Sequence, residues 1–157
     1  PHYALDGHNR AMRTGRWKQK LSKFRALSGP DKWMLLHAIV WLALARIMLL
    51  VLPFRKLAAR LSGERDTAKD DPATELLERV GNAVQLAANN VPWRSDCFPQ
   101  SIAGWMLLNH YGYNSKIHIG VEKKGKDELA GHAWLTCGDT VITGGDDLAR
   151  YTEMPPL

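Results

Sequence analysis

The spacing of apolar positions changes once along this chain. Up to about residue 112 they recur every three to four residues, as in helices with a buried face. From Ser115 onward they alternate, as in half-buried strands. Ser28-Gly29-Pro30-Asp31 is a helix start signal: a Ser cap, a Pro in the first turn and an acid three residues after the cap. It predicts a long helix over 31–52, "DKWMLLHAIVWLALARIMLLVL", broken by Pro53, with "FRKLAARLSG" adding a basic turn or two up to Gly63. In "ATELLERVGNAVQLAANN", Leu76, Val80, Ala83, Val84 and Ala87 form one helical stripe, ended by Asn89-Asn90 and Pro92. A further helix starting at Cys97 is expected to bury Ile102, Trp105, Met106 and Leu108, with Gly112 as its C-terminal cap.

The strands follow. "SKIHIGVEK" over 115–123 puts Ile117, Ile119 and Val121 on one side and Lys116, His118 and Gly120 on the other. "KKGKDE" is a turn, "LAGHAWLTC" over 129–137 a second strand, "GDT" a tight turn and "VITGG" over 141–145 a third strand. Helices followed by an antiparallel meander predict an α+β fold. The expected boundaries are a basic arm at 1–23, a helical N-terminal region at 24–63, a charged linker at 64–71 and an α+β core at 72–157. A short basic helix is expected over 18–27.

The segment from Trp33 to Leu52 is long enough to span a bilayer. But His37 and Arg46 lie within it, and an arginine near the centre costs about 2.5–3.5 kcal/mol even on the lenient insertion scale. A helix apolar on nearly every face is expected to be buried among other helices or docked on a partner. Peripheral membrane contact is the first alternative and a true span the second. The apolar run stands behind a long basic stretch, unlike a signal peptide, so a cytoplasmic setting is expected. The chain begins at Pro1 rather than Met, leaving room for residues before it.

Charge sharpens the division. The net charge is +5, yet residues 1–65 hold 13 Lys/Arg against 3 acids (Asp6, Asp31, Glu64), and residues 66–157 hold 8 against 13. The basic part is a solubilising arm or meets an acidic protein or a membrane surface. Nucleic acid is not expected, because no aromatic-rich binding strand and no zinc-finger spacing is present. The two cysteines, Cys97 and Cys137, make no disulfide framework and no C-x-x-C pair, so no structural metal is expected and a reducing compartment fits.

Candidate chemistry centres on "SDCFPQSIAGWMLL", which sets Cys97 at a helix mouth. Unpaired N–H groups and the helix dipole there favour a thiolate, the nucleophilic form. A cysteine is also a common core residue, so the thiol alone leaves both readings open. A nucleophile needs a base. His132, flanked by small residues on a strand, is the candidate, with His118 as a rival. His110 lies about 20 Å along the helix from Cys97, at 1.5 Å per residue, and is removed. Counting across the last hairpin, a two- or three-residue loop sets Asp146 beside His132, with Asp147 as the fallback; the Gly144-Gly145 pair is suited to a bulge. Trp93 and Gln100 are candidates for a second oxyanion donor, Arg94 for a peptide contact and Trp134 for a groove wall.

Cysteine on a helix, histidine on a strand and aspartate on the next strand is the order of transglutaminase-like and papain-like thiol enzymes. More narrowly, "VPWRSDCFPQSIAGWMLLNHYGYNSKIHIGVEK" and "GHAWLTCGDTVITGGDDLARYTEM" resemble the lasso peptide leader peptidases of the transglutaminase-like superfamily. "FRALSGPDKWMLLHAIVWLALARIMLLVLPFRKLAARL" resembles their helical N-terminal part, so the resemblance covers roughly residues 24–154. It implies a cytoplasmic cysteine protease that removes the leader from a lasso precursor peptide. Cys97 matches the nucleophile, His132 the histidine and Asp146 the acid, with no cofactor. The implied partners are a leader-recognition protein and an ATP-dependent, macrolactam-forming cyclase. Another thiol acyltransferase or amidase, or a non-catalytic docking protein, are the alternatives.

Overall fold

Helix α1 (Gly29–Val51) begins at the Ser28 signal and stops just before Pro53. The computed structural model describes residues 27–53, 56–57, 61, 72–124 and 128–154. The basic arm, nearly all of the helix expected over 18–27, the linker at 64–71 and the middle of "KKGKDE" lie outside them. The chain divides into two compact units, Pro1–Trp33 and Met34–Leu157. In the first, the Asp31 N–H donates to Ser28 Oγ at 3.3 Å and the Ser28 hydroxyl donates back to the Asp31 carboxylate, closing a reciprocal cap.

In the second unit, α1 buries Met34, Leu35, Ala38, Leu42 and Ala45. Ala45, Leu57 and Ile102 centre a cluster against which Met48, Leu49, Leu61, Phe98, Met106 and Ile117 pack. Leu36, Val40, Leu44, Ile47, Leu50 and Val51 are exposed. Burial on every face is therefore not what α1 shows; small Ala38 and Ala45 bring one side close to its neighbours and leave an aliphatic stripe outside. By length and composition alone, α1 is long and apolar enough to cross a membrane.

Helix α2 (Thr74–Ala88) buries Leu77, Val80, Ala83, Val84 and Ala87. Leu77 thus takes the inward place expected of Leu76. Helix α3 (Cys97–Tyr111) ends on Gly112, whose φ of 88° is the left-handed cap conformation. It buries Ser101, Ile102, Ala103, Gly104, Leu107 and Leu108, while Trp105 and Met106 are only half-buried. The correction has a steric cause. At Gly104 a Cβ would stand 2.7 Å from Leu135, so α3 meets the sheet through its smallest residues and its largest ones sit beside the seam.

The sheet contains β1 (Lys116–Lys124), β2 (Glu128–Cys137), β3 (Thr140–Thr143) and β4 (Thr152–Glu153), ordered β3-β2-β1-β4 and antiparallel throughout. The α+β expectation holds. Strand β4 has no counterpart in the hydrophobic pattern, being two exposed residues long. The β2–β3 hairpin pairs Cys137 with Thr140 and Thr136 with Val141, which makes Gly138-Asp139 a two-residue turn. Leu135 then pairs with Thr143, so Ile142 is an extra residue and the hairpin is bulged there rather than at the glycine pair. Leu135 faces α3, and strict alternation along β2 puts His132 and Trp134 on the other face of the sheet.

Candidate active site

Cys97 is the first residue of α3 and is partly accessible. Asp96 holds the cap position in extended backbone, but its side chain makes no capping hydrogen bond; it lies 3.4 Å from the Arg94 guanidinium at the surface instead. The cap side chain thus gives the first turn no acceptor. The Gln100 N–H reaches the Asp96 carbonyl at 3.3 Å. Pro99 has no N–H, and the Cys97 N–H stands at the open start of the helix.

The thiol-bearing turn is tied to the sheet by two hydroxyls. Buried Ser101 donates to the Cys97 carbonyl at 3.0 Å, and its Oγ lies 3.4 Å from Thr143 Oγ1 at the end of β3. The next residue is Gly144, whose carbonyl lies 2.8 Å from His132 Nε2. These contacts brace the Cys97 main chain against the end of β3 and hold the imidazole one residue further on. Among the described residues, however, no hydrogen bond joins the Cys97 thiol to the His132 ring, which lies on the sheet face away from α3. Gly144 has a φ of 73°, and a Cβ there would lie 2.4 Å from the Ala133 carbonyl oxygen. Only glycine lets the chain turn this way and deliver its carbonyl to the ring.

A carbonyl only accepts, so Nε2 of His132 carries the proton. In the neutral ring Nδ1 then holds a lone pair, and it makes no hydrogen bond among the described residues. The ring lies near-parallel to Tyr151, with centroids 4.7 Å apart and planes 25° apart, and at 6.2 Å and 22° to Trp134. His118 stacks on Trp134 at 5.3 Å and 5°. Its Nδ1 meets Glu153 at 2.6 Å and its Nε2 meets Thr136 Oγ1 at 2.9 Å, so neither nitrogen is left over.

The other candidates spread out. Asp146 stands exposed in the turn after β3, and the ring nitrogen expected to meet its carboxylate bonds the Gly144 carbonyl. Asp147 is exposed and sits 3.5 Å from Arg150. Gln100 donates its side-chain amide to the Ser95 carbonyl at 2.7 Å, bracing the loop that delivers Cys97. Arg94 is exposed, and Trp93 is half-buried with its indole N–H lacking a partner. Trp134, buried to 8% exposure, is packing shared by both histidines rather than an open wall. Cys137 is buried, its thiol donating to the Asn114 carbonyl. Ser101, Thr143, Tyr151 and the Gly144 carbonyl were not singled out by sequence reasoning. Only the Gly144-Gly145 pair gave a signal, because a backbone acceptor leaves no mark in residue type.

A groove of about 460 Å³ borders this region, between α2 and β3. Glu78, Gly81, Asn82 and Gln85 line one side and Val141 to Asp146 the other. Among the described residues no cluster of His, Cys, Asp and Glu is placed to hold a metal ion.

The transglutaminase-like superfamily matches residues 39–155, well over half of the chain, and the chain belongs to that superfamily. Neither a curated protein nor a solved structure matches it. The match takes in most of α1 together with the whole α3–sheet core. The match begins within α1, at Ile39, so only the part of that helix from Ile39 onward falls inside the superfamily region.

Proposed function

We propose that this member of the transglutaminase-like superfamily is a cysteine peptidase that removes the leader from a lasso peptide precursor. The observation that supports the peptidase reading is the superfamily match over residues 39–155, which takes in a partly accessible thiol at the start of α3 and a His132 ring whose Nδ1 the Gly144 carbonyl leaves with its lone pair. The lasso specificity rests on the resemblance of residues 24–154. In this reading the protein works in the cytoplasm with a leader-recognition protein and an ATP-dependent cyclase.

The chemistry follows from the groups. It requires the Cys97 turn and the His132 ring, which here belong to opposite faces of the sheet, to close on each other. His132 Nδ1 then takes the Cys97 proton, and the thiolate attacks the scissile carbonyl carbon. The resulting oxyanion is received by the backbone N–H of Cys97; one such donor is worth about 2.7–4 kcal/mol. His132 returns the proton to the leaving amine, and water then releases the acyl-enzyme. The Gly144 carbonyl holds the ring in the tautomer that this sequence of transfers requires. The Asp146 carboxylate is then left to act at longer range or on the peptide.

The test is Cys97→Ala with a matched precursor. Cleavage should vanish with the fold intact by circular dichroism, and unchanged turnover would end the proposal. Mass analysis of the wild-type products distinguishes hydrolysis, which gives a free core peptide, from acyl transfer to an amine, which gives a new isopeptide.

A further inference from the structure

The strap at residues 148–153 bears directly on the His132 ring. It starts as a single 3₁₀ turn, Leu148–Arg150, and ends as β4 on the free edge of β1, where Thr152 pairs with Val121 and Glu153 with Gly120. The anchors fall on both sides of Tyr151. Before it, Arg150 grips Glu122 with two hydrogen bonds of 3.0 and 2.7 Å. That contact raises the Arg150 guanidinium above its ordinary value and keeps it cationic. After it, Glu153 meets His118 at 2.6 Å and the Met154 N–H donates to the Ile119 carbonyl at 2.8 Å. Gly120 lies beneath: a Cβ there would stand 3.0 Å from Tyr151 Cβ and 2.9 Å from the Trp134 ring, so bare backbone lets both aromatics settle onto β1.

We infer that Tyr151 is a positioning residue, pressed by this strap onto the His132 imidazole so that the ring keeps its bond to Gly144. The inference rests on the proposal that His132 is the base. A histidine ring turns about two bonds, and one hydrogen bond fixes an atom but not the plane. The stacked ring fixes the plane. The Tyr151 aromatic surface does this work, so its hydroxyl is dispensable.

The experiment combines cleavage kinetics with long-range ¹H–¹⁵N spectra of the histidine rings in the full chain. In the wild type His132 should report a single Nε2–H tautomer. Tyr151→Ala should mix the tautomers and lower kcat about three- to tenfold, the range set by a single aromatic contact, with KM within about twofold. Tyr151→Phe should restore both. Arg150→Ala, a surface change that loosens the strap without touching His132, should shift the spectrum and kcat in the same direction by less. It carries the test if Tyr151→Ala does not fold. A wild-type His132 spectrum in Tyr151→Ala, or in Arg150→Ala if that variant carries the test, overturns the positioning role whatever the kinetics show. Undiminished cleavage by His132→Ala instead overturns the proposed function.

Discussion

Two imidazoles stand on one face of the sheet with Trp134 beside both, and they differ in what is left over. On the β1–β4 side, His118 spends Nδ1 on Glu153 and Nε2 on Thr136. On the β2–β3 side, His132 spends Nε2 on the Gly144 carbonyl and keeps Nδ1. A ring with both nitrogens engaged joins strands; a ring with one engaged and one spare can move a proton. The pairing partners follow from where each strand ends. β4 continues far enough to bring a carboxylate to His118, whereas β3 stops at Thr143 and offers His132 only main chain.

The largest expected effect separates the two rings. His132→Ala should lower cleavage of a matched precursor by about 10²–10⁴-fold, the usual worth of a general acid–base. His118→Ala should leave kcat per folded molecule within a few-fold. It should instead lower unfolding stability by about 1–3 kcal/mol in a denaturant titration, for two lost hydrogen bonds. The reverse pattern would exchange their roles. Next in size is Gly144→Ala. The added Cβ meets the Ala133 carbonyl at 2.4 Å in a left-handed backbone, costing about 1–3 kcal/mol, and it pushes the orienting carbonyl off the ring. Melting temperature and kcat should fall together, and the His118 ring signals should stay in place. The smallest effect is expected at Asp146→Asn. With Nε2 held by a carbonyl, kcat should change by less than about threefold, against the roughly 10⁴-fold loss that removing an orienting carboxylate causes in a triad built on one. A loss approaching that size would restore Asp146 as the third member.

Much of the fold was legible because it is written in side chains. The Ser28 cap, the Pro53 break, the left-handed Gly112 and the alternation of 115–123 each have a local cause. Cys97 could be set at a helix start on the same grounds. What stayed hidden depends on main chain and close approach. Leu77 instead of Leu76, and half-buried Trp105, follow from which helix face comes nearest the sheet, and that is decided at Gly104 rather than by hydrophobicity. Strand β4 is too short for a period and forms because β1 has an open edge. The hairpin count allowed two registers, and the molecule uses both, joined at Ile142. Asp146 was favoured because carboxylates can be read from a sequence and carbonyls cannot.

That doubled register makes the β2–β3 hairpin a spacer of fixed length. Deleting one residue between Gly138 and Gly144 would retract the loop by about 3.3 Å and reverse the sides of everything behind it. Many substitutions along the ribbon should be absorbed, whereas any change in its residue count should disconnect the ring from its acceptor.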